Sequence, residues 1–164
     1  VNRATRALFQ RVTTPQQMLD LGEEGLVEHI RTIGLFRNKA KNVIALSRLL
    51  VDRFGGEVPS SRAALQSLPG VGRKTANVVL NMWFRQPAMA VDTHVFRVAN
   101  RTGIGPGRDV EAVERALEDH IPAPFALHAH HWLILHGRYI CVARKPKCGI
   151  CPIRDLCPFE EKTA

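Results

Sequence analysis

Apolar residues in this chain hardly ever alternate with polar ones, as a half-buried strand requires, but recur at the three- and four-residue spacing that lines one face of a helix. Phe36, Ala40, Val43, Leu50 and Phe54 share a face of one such stretch. The chain therefore reads as all-α. Start and stop signals agree: Thr14-Pro15 caps and opens one helix, and Ser60 or Ser61 caps another before residues 63–67. Gly34, Gly55-Gly56 and Gly137 mark helix ends. Arg85-Gln86-Pro87 interrupts two strongly helical stretches, 75–84 and 93–101, which places a domain boundary there, with residues 1–86 and 87–164 on either side of an expected cleft. A further break over residues 103–107 precedes a helix capped by Asp109, and Pro122 and Pro124 precede a final long helix.

Charge narrows the partners. Lys and Arg number 23 against 15 Asp and Glu, a net charge of +8 that favours a polyanion, with nucleic acid ahead of an anionic membrane surface. No apolar run approaches the roughly 18 residues of a membrane span, and the stretch from Val1 to Leu19 lacks a signal peptide's layout. A soluble, intracellular protein is the expectation.

The sharpest local signal runs from Leu68 to Leu80: a short helix, a turn carrying Gly70 and Gly72, then an amphipathic helix. Glycines there let the backbone turn tightly and approach a ligand with no Cβ in the way. Their N–H groups, with the helix start near Arg73, make an anion site suited to a DNA phosphate and blind to base sequence. A plain joint between two helices is the plainer alternative. Lys74 lies in the first turn of that second helix, beside Arg73 and at the positive end of the helix dipole, and both work against its ammonium form. A free amine there can attack a sugar carbon that is losing its base. Eighteen positions on, Asp92 precedes another helix. It is a natural N-cap, and a carboxylate so placed can also stabilise the positive charge that builds on a sugar as its glycosidic bond breaks.

Cys141, Cys148, Cys151 and Cys157 all fall in the last quarter of the chain. Two disulfides among them would only tie a terminal loop to itself, so metal ligation is the better reading. Thiolates bind both zinc and iron–sulfur clusters. Only Cys148 and Cys151 show the close spacing that four-cysteine zinc sites usually repeat, which counts against zinc. Arg144, Lys145 and Lys147 lie between the first two cysteines, either as a solvated charge run or as a basic loop held toward phosphate. His128, His130, His131 and His136 lack the spacing of a shared ligand face and read as packing or phosphate neighbours.

Taken in order, LPGVGRKTANVVL at 68–80, VDTHVFRV at 91–98, HHWLILHGRY at 130–139 and the spacing C-x6-C-x2-C-x5-C resemble the endonuclease III family, and the resemblance runs through essentially the whole chain. It implies a helix-hairpin-helix DNA glycosylase architecture: a helical barrel domain, a domain bearing a [4Fe–4S] cluster, and an active site in the cleft between them. It implies a base-excision enzyme that removes oxidised pyrimidines from duplex DNA and cleaves the abasic strand by β-elimination. Lys74 would be the nucleophile, Asp92 the essential carboxylate, and the four cysteines the cluster ligands. Leu68, Pro69, Gly70, Val71, Gly72 and Arg73, with Arg144, Lys145 and Lys147, would meet damaged or abasic duplex DNA. A monomer in a bacterial or archaeal cytoplasm, associated with the nucleoid through DNA, is implied as well. Family members wedge a glutamine into the duplex from a motif just upstream of the counterpart of Val1, and the upstream segment supplies helices to both domains. The chain therefore reads as truncated at its N-terminus, with apolar faces left uncovered. Two rival readings are an adenine glycosylase of A/G mismatches, against which Lys74 argues, and a non-catalytic DNA-binding or electron-carrying iron–sulfur protein, for which Lys74 and Asp92 would be coincidence.

Overall fold

A computed structural model describes residues 2–163; Val1 and Ala164, where the two expected domains begin and end, lie outside the described residues. Among the described residues there is no strand. The helices run α1 (Asn2–Phe9), α2 (Pro15–Ile30), α3 (Phe36–Phe54), α4 (Arg62–Gln66), α5 (Arg73–Met82), α6 (Thr93–Thr102), α7 (Val110–His120) and α8 (Ala123–Tyr139), with two short 3-10 turns after them at Cys148–Ile150 and Arg154–Leu156.

The caps form where local chemistry calls for them. Thr14 accepts the amide of Gln17 while the Gln17 side chain reaches back to the amide of Thr14, a reciprocal pair that settles the start of α2. Ser61 caps α4 by accepting Ala64 N and Asp109 caps α7 by accepting Ala112 N, each without a reciprocal bond from those alanines, and Gly55 closes α3 with φ +60. Gly137 behaves differently from its reading as a helix end. It lies inside α8, and a Cβ there would sit 2.9 Å from His94 Cβ and 3.0 Å from Val98 Cγ2. Its bare backbone lets α8 close onto α6.

Packing groups the chain into two compact units, residues 1–72 and 73–164. The first buries Leu8, Met18, Leu26, Ile30 and Ala40, drawn from α1, α2 and α3. The second buries Met89, Val91, Val95, Ala99, Val113 and Leu117, with α8 laid along α6. Regular helix does stop around Arg85-Gln86-Pro87, where the sequence places a boundary, yet α5 packs with the residues C-terminal to it. Two buried asparagines on α5 are the reason. Asn77 Nδ2 donates to Met89 O at 3.0 Å, and Asn81 Nδ2 to Ala88 O at 3.3 Å and Leu127 O at 3.1 Å. A buried backbone carbonyl without a donor is costly, so these amides pin the extended stretch that leads into α6 against the helix before it.

Candidate functional site

The turn ahead of α5 is shaped by Gly70. Its φ of +76 belongs to the left-handed region, and a Cβ would lie 2.9 Å from Asn42 Cβ, so both conformation and space exclude a side chain. Gly72 has no such internal reason: a Cβ there meets nothing within 4 Å. Leu68 is buried, and its carbonyl already accepts the amide of Val71 at 3.1 Å, whereas Gly70 and Gly72 are exposed.

The first two residues of α5 have separate fates. Arg73 turns inward and forks onto the buried carboxylate of Glu114 on α7, which also holds its guanidinium above its usual pKa, the hydrogen bond being the leading cause. Lys74, next to it, is exposed. Asp92 is half-buried and caps α6: Oδ1 accepts His94 N at 2.8 Å and Val95 N at 2.9 Å. Both residues act electrostatically on His130, a side chain of α8 that is 4% exposed. Burial lowers the His130 pKa most, the Asp92 carboxylate opposes that shift, and Lys74 and His131 reinforce it. Lys74 and Asp92 thus each lie within electrostatic reach of His130 in the second unit. Among the described residues His130 Nδ1 has no hydrogen-bond partner. The other histidines separate by surroundings: His128 stacks on Trp132, His131 is exposed, and His136 stands at the cysteines.

Cys141, Cys148, Cys151 and Cys157 form no disulfide among themselves and line one cavity of the second unit. No group of three or more His, Cys, Asp or Glu among the described residues is arranged to hold a single metal ion. A tetrahedral zinc would draw its thiolates to about 2.3 Å from one point. Four thiols around a shared space, not gathered on one point, suit a group in which each thiolate meets a different iron. Cations face them. Arg101 on α6 directs Nη1 to Cys141 Sγ at 3.7 Å and to Val142 O at 2.8 Å, and Nη2 to Ala143 O at 3.0 Å. Arg97, one turn earlier, donates to Cys141 O at 2.9 Å and Gly137 O at 2.7 Å. The loop that carries exposed Arg144, Lys145 and Lys147 is therefore anchored from the helix that Asp92 caps, and Lys147 N adds a bond to Ile140 O at 2.9 Å.

Glu114, Asn77, Asn81 and Arg101 were not singled out by sequence reasoning. The asparagines left a trace, two amides one turn apart on the otherwise apolar face of α5. The partners of Glu114 and Arg101 are some forty residues distant in sequence.

Comparison with known proteins meets this geometry at both of its parts. Residues 1–123 match the family described as HhH-GPD superfamily base excision DNA repair protein, a span that holds the hairpin, Lys74 and Asp92. Residues 141–157 match the iron-sulfur binding domain of endonuclease III, beginning on the first cysteine and ending on the last. Fold and site together define a helix-hairpin-helix enzyme of base excision DNA repair whose cofactor is a [4Fe–4S] cluster. Endonuclease III of Escherichia coli strain K12 is 57% identical over 162 residues, covering 99% of this chain and 77% of that protein. A solved trapped endonuclease III–DNA covalent intermediate, an estranged-adenine complex, superposes with a TM-score of 0.89 at 46% identity, over 96% of this chain and 74% of that one. A thermostable thymine-DNA glycosylase also reaches 0.89, at 28% identity over 98% of this chain and 76% of that one. The chain belongs to the endonuclease III family. It is a DNA glycosylase of the abasic-site lyase type and acts on DNA; neither the A/G-mismatch reading nor the non-catalytic one is favoured. No described helix is long and apolar enough to cross a membrane.

Proposed function

We propose that this enzyme removes oxidised pyrimidines from duplex DNA and then cleaves the strand at the abasic site through a Schiff base on Lys74. The observation that carries the reading is a half-buried Asp92 carboxylate fixed by two backbone amides, in the same family-matched span as the exposed Lys74. As the glycosidic bond breaks, the sugar gains positive charge, and the Asp92 carboxylate stabilises it. Two amides fix that carboxylate through Oδ1, so it acts from a preset position. The Lys74 amine bonds to the sugar C1′ as the base departs, and the ring opens to an imine. Loss of a proton from C2′ then expels the 3′ phosphate. A relative trapped as a covalent DNA intermediate supports this order.

Backbone at Pro69, Gly70, Val71 and Gly72 receives a DNA phosphate, for which the open space at Gly72 is suited. Leu68 supports the turn from the core, and Arg73 contributes chiefly through its grip on Glu114. Arg144, Lys145 and Lys147 meet phosphate from their anchored loop, and Cys141, Cys148, Cys151 and Cys157 hold the cluster, which fixes that loop. The protein works as a monomer in the bacterial cytoplasm, on the nucleoid. Borohydride trapping on abasic duplex DNA tests the central step, because only an amine Schiff base is reduced to a stable adduct. Lys74→Gln loses both trapping and strand cleavage but keeps lesion binding. Undiminished trapping by that variant rejects Lys74 as the nucleophile.

A further inference from the structure

His136 stands in the last turn of α8 and serves two of the cysteines at once. Its carbonyl oxygen accepts the amide of Cys141 at 2.8 Å as well as that of Ile140 at 2.9 Å. Its ring Nε2 lies 3.8 Å from Cys151 Sγ, within hydrogen-bonding distance of a sulfur. One residue therefore links the first and third cysteines of the run. The half-buried residue also lines both the cysteine cavity and an apolar groove of about 440 Å³ that Phe125, Trp132 and Leu133 help to form.

We infer that His136 is a positioning residue for the cluster, its Nε2–H donating to Cys151 Sγ and so holding that ligand and tuning the iron–sulfur bond. The inference rests on the proposed ligand set. A thiolate bound to iron keeps lone pairs that accept an N–H, and such hydrogen bonds help to set a cluster's reduction potential. Groups that orient metal ligands in this way govern affinity as well. Apolar surroundings strengthen the bond, because little water competes for either partner. Arg101 is placed comparably at Cys141 Sγ, but its guanidinium is divided between that sulfur and the carbonyls of Val142 and Ala143. An apolar side chain such as leucine could line groove and cavity as an imidazole does. The nitrogen aimed at sulfur is what packing leaves unexplained.

Two variants separate donor from filler. His136→Leu removes the N–H, whereas His136→Gln carries an amide nitrogen to nearly the same place. Iron and sulfide in the wild-type protein are counted first; their absence refutes the ligand set itself, and with it this bond. In the loaded proteins, His136→Leu shifts the cluster potential to more negative values, moves the Fe–S(Cys) stretching bands, and releases iron to a chelator about tenfold faster. His136→Gln stays near wild type in all three measurements. Equal behaviour of the two loaded variants overturns the proposal, since the ring then only fills space. If neither variant assembles a cluster, wild-type protein carrying ¹⁵N-histidine decides the matter. A slowly exchanging, hyperfine-shifted Nε2–H resonance supports the bond, and its absence overturns it.

Discussion

Arg73 and Glu114 join the start of α5 to the middle of α7 by a two-pronged ion pair, Nε to Oε2 at 2.8 Å and Nη2 to Oε1 at 3.0 Å, with the Glu114 side chain 1% exposed and that of Arg73 34% exposed. Removing the arginine takes a two-pronged cationic partner from a buried carboxylate. Breaking a fully buried pair costs about 3–5 kcal/mol, and solvent at the arginine side brings the expectation for Arg73→Met down to about 2–3 kcal/mol. Adding Glu114→Leu to that variant recovers most of the loss, because two apolar residues replace a desolvated pair. Denaturant titration of the two variants checks both statements. A double variant no more stable than Arg73→Met would mean that Glu114 is held by something other than this arginine.

Asp92 is both a cap and the proposed catalytic carboxylate, and Asp92→Asn pulls these roles apart. Asparagine caps about as well as aspartate, so stability changes by less than about 1 kcal/mol. The charge opposite the developing cation is lost, and glycosylase turnover falls by about 10²-fold or more. Thermal melting and single-turnover kinetics on the same preparation read the two effects. A lowered melting temperature with unchanged turnover per folded molecule would leave Asp92 as a cap alone.

Features held in short windows of sequence are legible from the residues alone. Thr14, Ser61, Asp92 and Asp109 announce helix starts because a cap needs only its own next few amides, and the apolar stripe of α3 is a property of one helix. Lys74 and the cysteines became legible through long ordered motifs. The features that stayed hidden depend on distant partners. Arg73 looked like one more cation at the hairpin, and only the fold brings Glu114 to it. Gly137 looked like a helix end, since a glycine required for close packing on another helix carries the same letter as one that stops its own. Asn77 and Asn81 are polar residues facing inward, whose purpose shows only once the carbonyls of Met89 and Ala88 lie against them.

The basic loop makes a salt-dependence prediction. Arg144, Lys145 and Lys147 are exposed on backbone that Arg101 anchors, so they lose little freedom on meeting phosphate. Each phosphate neutralised releases counterions, and replacing Lys145 and Lys147 by glutamine flattens the log–log dependence of duplex affinity on salt by up to about two units. Binding titrations of undamaged duplex over a range of salt measure it. An unchanged slope would put the loop away from DNA.

His130 couples acidity to stability. Burial lowers its pKa in the fold, with Lys74 and His131 acting in the same direction and Asp92 against it, while the unfolded chain keeps the ordinary histidine value of 6.5. Between the depressed folded value and 6.5 the unfolded chain binds more protons, so falling pH favours unfolding. The contribution is fully present above the unfolded value and drains away as pH drops below it, until the folded value is passed. His130→Gln, which cannot take up a proton, therefore loses less stability than wild type when pH is brought from about 7.5 to about 5.5, a window set by the ordinary histidine value. Urea titrations across that window give the comparison directly. If both proteins lose stability in parallel, protons enter the fold elsewhere, and the lone Nδ1 of His130 has a partner in solution that offsets the cost of its burial.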